Sequence, residues 1–312
     1  MNRPTAIAFL AAFAAYAHAA PLAYVPNEGS ATISVIDTAS DRVSATLMVG
    51  GKPRGIAVSI DGARLFVSDQ KANAVVVHDL AKGTEIARVA VGDSPEAIYL
   101  SPDGRWLAVA VEENDLVALI DIGTLTVANR IRMKGKNPEH SVWSPDGRWL
   151  YVSAENANSV DVVDLAKGEV VASIVVGERP RGIAFTPDGT RAYVAAENAN
   201  QVAVIDVAKR EVITQIKAGV RSNGVTMNPD GKSVYVTSGG DANVQVIDTA
   251  TNTIVERIGV GKRPWNMAIT PDGSKLYVAC GRSNQVAVID TKSRKKTADI
   301  DVGELPWGVV VR

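Results

Sequence analysis

Seven side chains at one recurring position could do chemistry: Arg54, Glu96, Glu139, Arg181, Asn223, Trp265 and Trp307. Six follow a proline (Pro53, Pro95, Pro138, Pro180, Pro264, Pro306) and one follows Ser222, with a spacing of about 42 residues. The chain around them is regular, yet this position holds two cations, two carboxylates, an amide and two indoles. Carboxylates can exchange protons or hold a cation, guanidinium groups grip anions, and indoles stack on flat ligands. The next residue is small in five copies (Gly55, Ala97, Gly182, Gly224, Gly308) and is His140 or Asn266 in the other two. His140 is a candidate base beside Glu139 and Glu96. With no nucleophile in view, the eight residues are read as a ligand-binding set and no catalytic residue is assigned.

The positioning elements follow from the repeat. An Asp-Gly turn recurs at Asp61, Asp103, Asp146, Asp188, Asp230 and Asp272, and five of the six have Pro just before the Asp. Pro presets the turn and Gly accepts positive φ, so each is a tight hairpin. A short β-branched and aromatic strand follows, as in Leu150 to Ser153 or Val234 to Thr237. A third strand ends at Asp37, Asp79, Asp121, Asp164, Asp206, Asp248 or Asp290, and a fourth at Gly50, Gly92, Gly135, Gly177, Gly219, Gly261 or Gly303. Every feature occurs seven times except the Asp-Gly turn, which occurs six times. The chain ends after a first strand (Trp307 to Arg312) and, once the leader expected over residues 1–19 is cleaved, begins just before a second strand (Leu22 to Asn27). The termini therefore open the seventh hairpin, and the last strand can close a ring and remove the exposed sheet edge. The expected fold is all-β: a seven-bladed β-propeller with four antiparallel strands per blade, closed by pairing of the C-terminal strand with the N-terminal strands.

With A to D as the strands of a blade, the D–A and B–C loops share one face. The D–A loops bring Lys52, Lys136, Arg179, Arg221, Lys262 and Arg263 there; the B–C loops bring Asp69, Glu112, Glu113, Glu155, Glu197, Asp241 and Arg282. The face is mixed in charge and suits salt bridges between blades. Trp265 and Trp307 with Arg54 would form a stacking surface with a cation, or the indoles would fill the channel mouth. One extra residue between Asp121 and Gly135 could displace His140. His78 stands where other copies have Ile and reads as strand core, as do Trp106, Trp143 and Trp149. The repeated aspartates read as turn formers.

The 312 residues are 46% hydrophobic and 21% charged, with a net charge of −1. That suits a large globular core and shows no basic excess for nucleic acid. Residues 1–19 have the form of a secretory signal: Arg3, an apolar run, then Ala17-His18-Ala19. The run is too short to span a bilayer. A single domain over residues 20–312, periplasmic or secreted, is expected. Cys280 is the lone cysteine, so the chain has neither an internal disulfide nor a covalently attached c-type haem, and no cofactor or resident metal is expected.

Tyr-Val-(Ser/Thr) followed by Asn, Val244 to Thr253, Val-Gly-x-x-Pro and Pro-Asp-Gly together resemble the YVTN family of β-propeller repeats. The chain is similar to exported propellers that accompany PQQ-dependent alcohol oxidation. That resemblance implies a non-catalytic binding or scaffold protein recognising a periplasmic protein partner or a small ligand. Two alternatives are a metal-dependent lactonase-like hydrolase, with Glu96, Glu139 and Asn223 as ligands, and a single-stranded nucleic-acid binder using the indoles and arginines.

Overall fold

Strand and turn chemistry repeat, and the chain folds as that repeat dictates. The structure, a computed structural model, describes residues 20–312; the signal segment expected over residues 1–19 lies outside the described residues. Seven four-stranded antiparallel sheets form a seven-bladed β-propeller. Blade 2 shows the pattern: strand A (Pro53–Val58), B (Arg64–Asp69), C (Ala74–Asp79) and D (Thr84–Ala90). Strands A of neighbouring blades touch around the channel, and strands D lie outermost.

Blade 1 is assembled from both ends of the chain. Leu22–Asn27 pairs with Val310–Val311, in the register Ala23↔Val311 and Tyr24↔Val310. Leu22 and Arg312 exchange backbone hydrogen bonds of 2.7 and 2.9 Å. The closing ladder is shorter than the expected Trp307 to Arg312. Beyond it, a bridge between Asn27 and Pro306 and backbone bonds from Trp307 N to Pro26 O (2.9 Å), Glu28 N to Leu305 O (3.0 Å) and Gly29 N to Glu304 O (2.9 Å) continue the contact toward the mouth.

The core lies between blades. One apolar cluster joins Val75 and Val77 of blade 2 to Leu107 and Val109 of blade 3, and Tyr151, Tyr193, Tyr235 and Tyr277 are among the largest fully buried side chains. His78 is buried in strand C of blade 2, as expected. Cys280 is buried too, and burial pushes its thiol up to about 11. The corner aspartates are turn formers: Asp37 Oδ1 accepts from the amides of Ala39 and Ser40, and Asp121 Oδ1 from those of Gly123 and Thr124. The extra residue of blade 3 is absorbed in its D–A loop. There Asp161 Oδ2 accepts from Lys134 N and Gly135 N at 2.7 Å each, and His140 stays in its repeat position.

Six of the seven A strands carry the same irregularity. In blade 2, Pro53 faces Asp69 but Ile56 faces Val67, so two residues of strand A oppose one of strand B. The same bulge occurs between Pro95 and Ile98, Pro138 and Ser141, Pro180 and Ile183, Ser222 and Val225, and Pro264 and Met267. The bulged residues are the variable position and the one after it. A bulge re-aims side chains that a regular strand would turn onto a neighbouring blade.

Candidate functional site

The bulges set the mouth geometry, and their backbone needs are met locally. Gly55 N donates to Ser68 Oγ (2.7 Å), which donates to the carbonyl of Glu96 in the next blade (2.7 Å). Thr237 Oγ1 likewise accepts from Gly224 N (2.8 Å) and donates to the Trp265 carbonyl (2.6 Å). A Cβ at Gly55 would meet the Glu96 carbonyl at 2.4 Å, and one at Gly224 the Trp265 carbonyl at 2.4 Å. The small residue thus lets adjacent inner strands approach.

Four of the seven variable residues form an ordered ionic arc. Arg54 donates from Nη1 to both oxygens of Glu96 (2.6 and 2.8 Å) and from Nε to Glu28 (3.0 Å). Arg181 pairs with Glu139, with Glu155 at 3.4 Å and with Glu197 at 2.9 Å. Arg263 reaches across blade 6 to Glu197 (2.7 Å). Between the two arginines, Glu96 and Glu139 stand in adjacent blades with Glu112, and carboxylate oxygens of all three lie within 4.8 Å of one another. Glu96 is fully buried and Glu139 nearly so. Burial and then the charge of Glu139 push Glu96 well above the ordinary carboxylate range, outweighing the pull of Arg54. Burial also pushes Glu197 up, but Arg181 and Arg263 outweigh it and hold it below that range.

His140 lies deeper than a solvent-facing base would. Only 1% exposed, its Nδ1 bonds to the Tyr99 hydroxyl at 2.6 Å, and its ring stacks on Trp307 with centroids 6.1 Å apart. Burial pushes the imidazole down to about 4, against the opposing pull of Glu139. His140 and Trp307 belong to blades 4 and 1, so their stack crosses the channel and closes it. Below, a cavity of about 120 Å³ is lined by Tyr99, Ile98, Ile183, Thr226 and Met267. Trp265 lies over Gly281, whose Cβ would meet the indole at 2.6 Å. Arg54 is held by Glu28 and Glu96, so the expected stacking surface of two indoles and a cation does not form. Asn223 is buried apart from the carboxylate cluster, and its side chain makes no hydrogen bond among the described residues.

The repeat contains a second ring that the sequence reading did not assemble. The residue just after strand B is Glu28, Gln70, Glu112, Glu155, Glu197, Gly239 and Gly281 in blade order. Gln70 donates to Glu96, Ser94 donates to Glu112 (3.0 Å), and the glycines leave room for Arg263 and Trp265. Glu28, Gln70 and Tyr99 were missed; aligning this position as well would have exposed the first two.

The model of the cytochrome D1 heme domain family matches residues 107–309. No curated protein matches the chain significantly. Among solved structures, hydrazine synthase of Kuenenia stuttgartiensis is 26% identical, with 86% of this chain and 92% of that chain covered and a TM-score of 0.79. The periplasmic gluconolactonase PpgL of Pseudomonas aeruginosa is 23% identical over 93% and 98%, with a TM-score of 0.78. Dihydro-heme d1 dehydrogenase NirN, in complex with DHE, is 17% identical over 93% and 74%, with a TM-score of 0.71. These matches correct the expectation of a non-catalytic scaffold accessory to PQQ-linked oxidation: the structures carry enzyme names, and the family is described by a heme domain.

The residues present do not fit a heme in the channel. Of the two histidines among the described residues, His78 lies within the sheet of blade 2, and His140 is held by Tyr99 and covered by Trp307. The 120 Å³ beneath them falls well short of the roughly 300–1,000 Å³ of ordinary ligand pockets. By sequence and by blade architecture, the chain belongs to the cytochrome D1 heme domain family.

Proposed function

We propose that this propeller is a lactonase-like hydrolase that opens a sugar-acid lactone at the Glu96–Glu112–Glu139 cluster. One observation carries the reading: two buried carboxyl groups are forced together between two arginines, and one is biased toward its protonated form. Carboxyl groups whose environments push their proton affinities apart supply an acid and a base at one site. Glu112, the more exposed of the three, takes the proton from water as it attacks the lactone carbonyl. Arg54 Nη2, which makes no hydrogen bond among the described residues, faces the developing oxyanion. Glu96 gives its proton to the departing ring oxygen as the C–O bond breaks, and the product is the hydroxy acid. Arg54 and Arg181 already bring positive charge to the cluster and Gln70 donates a hydrogen bond to Glu96, so the reading calls for no divalent ion, and Asn223 lies outside the cluster.

The test is a pH-stat assay of gluconolactone opening, corrected for the spontaneous reaction. Glu96→Gln should lower the rate about 10²–10⁴-fold. Wild-type rate should fall as pH rises through the raised Glu96 value. No rate above background in the wild type would sink the reading. Loss on chelation, restored by calcium, would move oxyanion stabilisation from Arg54 to a metal. The proposal includes export behind residues 1–19, in keeping with the YVTN-type repeats; mass spectrometry of the mature N-terminus checks it.

A further inference from the structure

The face opposite the mouth holds a cleft that breaks the repeat. In blades 2, 5 and 7, a cation at the first residue of strand B crosses to the next blade and bonds the carbonyl just after its corner aspartate. Arg64 donates to Ile122 O (2.9 Å), Arg191 to Thr249 O (2.9 Å), and Lys275 to Thr38 O and Asp41 (2.8 Å each). In blade 4 the position is Trp149, and blade 5 supplies the cation, with Arg210 over the indole at 4.5 Å. Blade 6 has Ser233 there, beside Lys232, Lys292 and Arg294 in its cleft.

Between blades 3 and 4 the arrangement differs. Trp106 replaces the cation, and the corner residue it faces is Leu165. The residue equivalent to Asp41 is Gly168, and strand D carries Ala128 where other blades have Ile86, Val171 or Ile213. Trp143 stands where Val58, Leu100 or Ile269 stand elsewhere. The result is a cleft of about 460 Å³, walled by Trp106, Trp143, Leu119 and Leu165, with Asp103 and Asp146 at its edge and no cation in its lining. Each aspartate spends Oδ1 on its own turn, and Oδ2 has no partner among the described residues. Arg105, which pairs with Asp121 at 3.7 Å, already sits over Trp106 at 4.8 Å, so this indole accepts a cation on its face.

We infer that this cleft binds an organic ammonium ion carried on an apolar or aromatic body, its charged head taking the place that Arg64, Arg191 and Lys275 fill between other blades. Aromatic walls with an anionic edge favour a cation over a neutral ligand of the same shape. The inference is independent of the lactonase reading, since the cleft lies on the other face.

Calorimetric titration with benzylammonium and with benzyl alcohol, its uncharged counterpart, tests it. Benzylammonium should saturate one site and bind on the order of tenfold more tightly than the alcohol. Trp106→Arg restores the residue type of blades 2 and 5 and should abolish binding. Ala128→Ile, at an exposed position, should weaken it at least tenfold while leaving the melting temperature unchanged. Equal affinity for the alcohol, absence of saturable binding, or unaltered binding in Trp106→Arg would each overturn the assignment.

Discussion

The mouth divides into two arcs built on the same bulge. In blades 2 to 5 the variable residues are Arg54, Glu96, Glu139 and Arg181, and the second ring beside them is Gln70, Glu112, Glu155 and Glu197. In blades 6, 7 and 1 they are Asn223, Trp265 and Trp307, beside Gly239, Gly281 and Glu28. The variable residues of the second arc are uncharged, with one indole over a glycine and another stacked across the channel on His140, while Glu28 turns to Arg54 of the first arc. The first buries charge, with two carboxyl groups adjacent where alternating signs would be more stable. A scaffold needs no such arrangement, because like charges brought together out of water cost stability and shift proton affinities. This contrast is the ground on which the proposed lactone opening is assigned to the ionic arc.

Removing Arg181 should break the contrast most severely. It holds Glu139, Glu155 and Glu197, and its side chain is only 11% exposed. Arg181→Met leaves three acids short of a partner, so a loss of about 3–5 kcal/mol is expected in urea denaturation. Arg54→Met should cost less, because Glu96 is already biased toward its neutral form and can take up a proton. Equal losses would mean that Glu96 is ionised, and would remove the acid from the proposed mechanism.

His140 joins the two arcs, and its titration sharpens where the boundary lies. Its folded value of about 4 lies below the ordinary 6.5 because burial disfavours the charged ring. Between these values the unfolded chain binds more protons than the folded one. Stability is therefore lost as pH falls from about 6.5 through 4, by an amount of order 3 kcal/mol. His140→Gln should flatten that part of the profile relative to wild type. An unchanged profile would show that the Trp307 stack does not exclude water from the imidazole.

The blade count, the strand order and the ring closure could be read from the sequence because each depends on local chemistry repeated seven times. The mouth ring could be read as a position, since Arg54 to Trp307 fall at fixed spacing. Which members meet could not. Arg263 reaches Glu197 from two blades away, and it can do so because Gly239 clears the way over blade 6. The burial of His140 depends on Trp307, whose place across the channel follows from ring closure and not from spacing. Glu28 was hidden because its blade is split between the two termini, and Tyr99 because it lies three residues beyond the variable position, near the far end of strand A.

The neutral arc should respond to substitution by packing alone, and a smaller effect is enough to show it. Trp265 rests on Gly281, and a Cβ there would come within 2.6 Å of its ring carbon Cζ3 and 2.7 Å of Cε3. Gly281→Ala should therefore displace the indole and cost about 1 kcal/mol. In the Trp265→Ala background the same change meets no ring and should cost almost nothing. The cycle would then give a coupling of about 1 kcal/mol, within the range for residues in contact. Neither substitution should alter the acid-side stability profile set by His140 or the rate of lactone opening. If Trp265→Ala slowed the reaction as much as Glu96→Gln, the division would fail, and the indole would have to be counted among the groups that touch the substrate.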